Sequence, residues 1–137
     1  KPVFLKRGPA AGVDDFLLAA EYIMNQGNPN VILCERGIMA FDSTYTRNVL
    51  DLGIVPALKE YSHLPVIADP SHGTGVARYV RPMAKAAMVS GADGVMIEMH
   101  PNPKEALSDG SQALTPDTFI SVMEDLKKLA PYVGKSM

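Results

Sequence analysis

Four short apolar runs in this chain each end in charged or ligating side chains. The tips are Lys6-Arg7, Cys34-Glu35-Arg36, Asp69-Pro70-Ser71-His72 and Glu98-Met99-His100. A following loop adds Asp109 in Leu107-Ser108-Asp109-Gly110. The first two tips are rich in cations, and the last two, with Asp109, offer imidazole and carboxylate. Arginine grips phosphate or carboxylate through a bidentate fork and lysine acts as a compact charge, so Lys6 and Arg36 suit an anionic ligand. His72, Glu98 and Asp109, spaced by 26 and 11 residues, suit a divalent metal. One imidazole with two carboxylates favours Mn, Fe, Co or Zn over the purely oxygen-bound Mg or Ca. This spacing is no stand-alone motif. The plain alternative is that His72 caps a turn, the carboxylates are solvated and the two cations are surface charges. Convergence depends on the elements that carry the residues.

Other reactive groups have bland readings beside the chemical one. Lys6 could form an imine, since a strand-end lysine is a frequent covalent catalyst. Cys34 is a tempting fourth ligand, but a lone strand-end cysteine is more often a small core residue. His63 precedes a strand and reads as structural, whereas His100, two residues beyond Glu98, reads as a partner of the ligating set. Thr44, Tyr45 and Arg47 would touch a ligand or simply order their loop.

The apolar runs are Val3 to Leu5, Val31 to Leu33, Pro65 to Ala68 and Val95 to Ile97. Helical periodicity follows each: about Val13 to Gln26, with Asp14 and Asp15 in the first turn; Ile54 to Tyr61; Val80 to Ser90; and a last helix from Thr115 as N-cap and Pro116 to near Leu129. Between Asp69 and Gly75, His72 and two glycines read as a turn. The strands start near residues 3, 31, 65 and 95, a spacing that fits repeated strand-helix units. Continuously apolar strands fit a parallel sheet covered on both faces. Two architectures accommodate four such units: an open doubly wound sheet, or half of a TIM barrel, whose sites lie at the C-terminal strand ends. No Gly-x-Gly-x-x-Gly or P-loop pattern is present, which weakens the nucleotide-binding form of the open sheet.

The 137 residues, with a formal net charge of -2, fit one domain over residues 1–137. No basic cluster suits a nucleic acid. No apolar run nears the ~20 residues of a membrane-spanning helix, and no signal peptide is evident at Lys1. One cysteine excludes an intrachain disulfide and points to the cytoplasm.

Taken together, Lys1-Pro2-Val3-Phe4-Leu5-Lys6-Arg7-Gly8, Val31-Ile32-Leu33-Cys34-Glu35-Arg36-Gly37, Asp69-Pro70-Ser71-His72, Glu98-Met99-His100-Pro101 and Ala106-Leu107-Ser108-Asp109-Gly110 resemble 3-deoxy-D-arabino-heptulosonate-7-phosphate (DAHP) synthase. The resemblance is to the branch related to 3-deoxy-octulosonate-8-phosphate (KDO8P) synthase, and it runs over nearly the whole chain. It implies an α/β fold in which these four βα units form the second half, strands five to eight, of a TIM (β/α)8 barrel. It implies condensation of phosphoenolpyruvate with erythrose 4-phosphate, the first step toward aromatic amino acids. In that reaction C3 of the enol attacks the aldehyde carbon, water adds at C2 and phosphate leaves with C–O cleavage.

By the same resemblance Lys6 and Arg36 hold phosphoenolpyruvate and Glu35 shapes the pocket floor. Lys6 and His72 take part in catalysis. His72, Glu98 and Asp109 bind a divalent ion, manganese first, with iron, cobalt or zinc as alternatives. The family's cysteine ligand and its lysine-proline-arginine stretch have no counterpart here, and Cys34 does not align with that ligand. The expected partners are therefore the N-terminal half-barrel or another copy of the chain, in a homo-oligomer, with the chain inactive alone. The alternatives are a KDO8P synthase-like condensation with arabinose 5-phosphate, a non-catalytic half-barrel module, and a lysine aldolase acting through Lys6.

Overall fold

The computed structural model describes residues 1–137. The order of elements is β1 (Val3–Lys6), α1 (Val13–Asn25), β2 (Val31–Glu35), α2 (Ile54–Tyr61), β3 (Val66–Ala68), α3 (Pro70–Thr74), α4 (Ala77–Val89), β4 (Gly94–Val95) and α5 (Pro116–Leu129). Short 3-10 turns lie between β4 and α5, at Pro103–Glu105, and after α5, at Ala130–Val133. The strands form one parallel sheet in the order β1-β2-β3-β4, with Lys6 beside Cys34, Cys34 beside Ile67, and Ala68 beside Val95.

Side chains alternate across a strand, so this register sorts them into two faces. Val31, Leu33, Val66 and Ala68 face the helices and form a core with Phe16, Ala20, Ile54, Val55 and Leu58. Val95 and Ile97 pack with Val80, Ala84, Val122 and Leu126 in a second cluster. Phe4, Lys6, Ile32, Cys34, Arg36, Ile67, Asp69, Met96 and Glu98 alternate with these and belong to the opposite face. None of them belongs to the two helix-side clusters; Phe4 there is 42% exposed, while Cys34 and Asp69 toward the C-terminal end are fully buried.

Strands in sequential order with every helix on one side are singly wound, the arrangement of a barrel wall. A doubly wound sheet reverses its strand order and carries helices on both faces, so the open-sheet alternative is excluded. The expectation of strands covered on both faces fails within this chain for the same reason.

Three boundaries differ from the sequence reading. The expected turn after Asp69 is the one-turn helix α3, because Pro70 stands at its first position and Asp69 caps it. Helix α4 begins at Ala77 rather than Val80, with the Ala77 N–H donating to the Ser111 carbonyl. Strand β4 pairs only over Gly94–Val95, since β3 ends where Asp69 turns away to cap α3. The Met96 N–H still reaches the Ala68 carbonyl at 2.8 Å.

Candidate functional site at the C-terminal strand ends

Helix α3 determines where His72 points. Asp69 Oδ1 accepts the His72 backbone N–H at 3.0 Å, and Asp69 Oδ2 lies 2.8 Å from the His72 Nδ1 atom. One carboxylate thus caps the helix and fixes the ring of the residue three positions on. The other ring nitrogen, Nε2, is turned to Glu98 Oε1 at 3.2 Å. Asp69 is fully buried, and its Oδ2 also accepts from Lys6 Nζ at 3.2 Å. A single buried acid therefore joins the cationic half of the site to the ligating half. Sequence reasoning placed Asp69 at a strand tip without giving it this work, because both contacts depend on the turn taken by α3.

Glu98 is fixed from two sides. Its backbone N–H donates to Ser71 Oγ at 3.0 Å, tying the end of β4 to α3. Its Oε2 accepts from Gln112 Nε2 at 2.9 Å. Asp109 sits nearby in a left-handed conformation, φ 55°. Its carbonyl accepts the N–H groups of Gln112 and Ala113 at 3.1 and 3.2 Å, which ties down the loop that carries it. His72, Glu98 and Asp109 each bring one ligand-type atom to within 4.8 Å of the others. All three are partly buried. One imidazole and two carboxylates, each with a second atom held by a neighbour, fit a borderline-hard divalent ion. Cys34 does not join them. Burial above all, with Asp69 next, pushes its thiol up to about 12.

Lys6 and Arg36 follow the open face of β1 and β2. Both, with Asp69, lie close enough to Cys34 to act on its thiol electrostatically. Lys6 is held in a salt bridge, which suits a charged binding group rather than an imine former. Arg36 is half-buried, with no ion-pair partner in the chain.

Its neighbours in sequence behave differently. Arg7 is buried against Glu35 at 3.1 Å and Asp51 at 3.0 Å, and donates from Nε to the Ala11 carbonyl. Glu35 is fully buried on the helix side of β2. Its Oε1 accepts the Gly37 and Asp51 N–H groups and its Oε2 accepts Arg7. Glu35 therefore cannot touch a ligand. It shapes the floor only through the loop backbone it holds, which corrects the substrate-binding role expected for it. Arg7 likewise leaves the cationic set.

His100 accepts from the Asn102 N–H at 3.0 Å and makes no bond to His72, Glu98 or Asp109, so its expected role beside the ligands is not realised. His63 lies exposed beyond the other end of the sheet, before β3. Arg47, left undecided by the sequence, donates to Asp109 Oδ1 at 3.1 Å. No helix of the chain is long and apolar enough to cross a membrane.

Comparison with known proteins gives a consistent picture. The family model described as the DAHP synthetase I family matches residues 1–134. The chain is 48% identical over 134 residues to a phospho-2-dehydro-3-deoxyheptonate aldolase of Thermotoga maritima, covering 98% of this chain and 39% of that protein. It is 35% identical over 137 residues to a 2-dehydro-3-deoxyphosphooctonate aldolase of Syntrophobacter fumaroxidans, covering 92% of this chain and 46% of that one. A crystal structure of the Thermotoga maritima aldolase (DAHP synthase) superposes with a TM-score of 0.96 over 99% of this chain and 40% of its own. A truncated form of the Thermotoga maritima synthase superposes equally well and is covered to 52%. The chain thus spans about half the length, or less, of the relatives it matches.

Proposed function

The chain belongs to the DAHP synthetase I family, and from that premise we propose that it forms half of the catalytic barrel of a DAHP synthase. The reaction joins phosphoenolpyruvate to erythrose 4-phosphate, giving 3-deoxy-D-arabino-heptulosonate 7-phosphate and phosphate. The observation that carries this reading is the meeting of His72, Glu98 and Asp109 at one end of the sheet, joined through Asp69 to Lys6.

In this reading Lys6 and Arg36 bind the carboxylate and phosphate of phosphoenolpyruvate. Neutralising those charges lowers the repulsion that a second anionic substrate would meet. Asp69 keeps Lys6 and the His72 ring in a fixed relation, so the enol and the aldehyde are oriented by one buried group. His72 Nε2, Glu98 and Asp109 would hold a divalent cation, manganese before iron, cobalt or zinc. Once bound, such an ion supplies Lewis-acid polarisation of the aldehyde oxygen. Arg7 and Glu35 keep the β1 and β2 loops in register and touch no substrate. The sheet edges at β1 and β4 pair with further βα units, from the other half of the barrel or from a second copy.

The octulosonate reading shares the site chemistry, and the relatives weigh against it at 35% identity against 48%. The test is a phosphoenolpyruvate-consumption assay on the protein in its native length and assembly, after chelation and with manganese restored. Erythrose 4-phosphate and arabinose 5-phosphate are offered separately. The expected result is metal-dependent turnover with the four-carbon aldehyde. Turnover with the five-carbon sugar alone would transfer the assignment to the other branch, and full activity under chelation would remove the metal role.

A further inference from the structure

Each of the three proposed ligands carries two atoms able to bind a cation, and in each case one of the two is held by a side chain from outside the trio. For His72 the neighbour is Asp69. For the carboxylates it is a linked pair from outside the ligating set. Gln112 Nε2 donates to Glu98 Oε2 at 2.9 Å, so that Oε1 is the oxygen turned to His72 Nε2, at 3.2 Å. Arg47 Nη1 donates to Asp109 Oδ1 at 3.1 Å and to Gln112 Oε1 at 3.4 Å. Gln112 is 1% exposed, so both ends of its amide must be satisfied inside the protein. A guanidinium has only donors and a carboxylate only acceptors, so the amide fits in one orientation, with oxygen toward Arg47 and nitrogen toward Glu98. The Arg47 N–H in turn donates to the Thr74 carbonyl at 2.8 Å, anchoring its loop to α3. Gly75 leaves room for this approach: a Cβ there would stand 2.6 Å from Arg47 Cβ.

We propose that Arg47 and Gln112 are positioning residues that together hold Glu98 and Asp109 to one oxygen each toward a divalent cation, and so set the coordination number of the site. This rests on the metal reading above. The consequence is selectivity. A carboxylate released from its partner is free to chelate with both oxygens, the mode that favours larger, oxygen-seeking ions such as Ca2+.

The test uses variants that leave net charge unchanged, because loss of the Arg47 charge alone would strengthen cation binding and mask the effect. Gln112→Met removes the donor to Glu98, and Arg47→Lys keeps the charge but, with a shorter side chain, draws the donor back from Asp109 and Gln112. Mn2+ and Ca2+ affinities are measured by calorimetry on the protein in its native length and assembly, and the visible absorption of the Co2+ form is recorded. Thermal unfolding without metal controls for folding, and the half-exposed Arg47→Lys remains informative should Gln112→Met not fold. The expected result is Mn2+ binding about 10–100-fold weaker, a smaller loss for Ca2+, and a shifted Co2+ spectrum. Unchanged affinity and spectrum in both variants, with tight binding to the parent that His72→Ala abolishes, would overturn the positioning role and leave the metal site standing. A parent that binds neither ion would overturn both.

Discussion

Arg7 and Arg36 show how far residue type alone underdetermines use. Both end a strand, and in the sequence both read as cations at a common mouth. The register sends Arg36 to the open face and Arg7 into a buried contact with Glu35 and Asp51. Burial lowers the Arg7 pKa, yet hydrogen bonds to Asp51 and Glu35 outweigh it and raise the value overall. Removing one member of a buried pair strands the other charge, at a cost of about 3–5 kcal/mol. Arg7→Ala should therefore lose that much in urea unfolding. Arg36→Ala should stay within about 0.5 kcal/mol of the parent while raising KM for phosphoenolpyruvate. Equal destabilisation by the two would remove the division of labour. The grouping of His72, Glu98 and Asp109 was legible from residue type and from the tips that carry it: His72 and Glu98 follow β3 and β4 within a few residues, and Asp109 lies on the next loop at the same end of the sheet. Asp69, Gln112 and Arg47 were not, because their work lies in the angle of a turn and in hydrogen bonds across separate loops, neither of which has a period in sequence.

At the scale of elements, long amphipathic stretches were read well and short pieces were not. Helices α1, α2 and α5 fall within a residue or so of their expected bounds, since each carries an apolar stripe and two have clear start signals. Helix α3, five residues long, has no room for a stripe and is set by its cap and by packing. A Cβ at Gly73 would stand 2.7 Å from Leu50 Cδ1, so α3 lies directly on the loop before α2.

The opposite end of the sheet has its own fastener in Asp93. It accepts Lys59 Nζ at 2.7 Å and the Val66 N–H at 2.9 Å, with Lys135 at 3.5 Å. Burial pushes its carboxyl up, but the Lys59 and Val66 hydrogen bonds and the charges of both lysines hold it below the usual carboxylate value. The folded-state pKa is thus lower than the unfolded value near about 3.9. The stabilisation is complete above that pH and is lost as pH falls through the depressed value. Asp93→Asn should destabilise the protein at pH 7, and the gap to the parent should close on acidification below about pH 4. Thermal midpoints measured between neutral and acid pH would show this, and a gap independent of pH would assign the loss to packing.

For the molecule as a whole, the decisive feature is the bare face of the sheet. Phe4 is 42% exposed there, and Ile32, Ile67 and Met96 are only partly covered. The outer strands β1 and β4 each leave one edge without a partner. Apolar surface of this kind, flanked by open edges, associates with its own kind or with a complementary sheet. The helix-side clusters already form a complete core, so what lacks cover is the interior that a closed barrel would fill. Residues 1–137 prepared alone should therefore bind a dye for apolar surface and run above monomer mass in light scattering. Adding four complementary βα units in trans should suppress both signals and restore manganese-dependent turnover. Ile32→Glu, which puts a charge at the centre of the bare face while leaving the helix-side core untouched, should block the rescue without unfolding the helices. A monomer that unfolds cooperatively and binds no dye would mean that this face is stable in water as it stands, and the barrel reading would lose its physical motive.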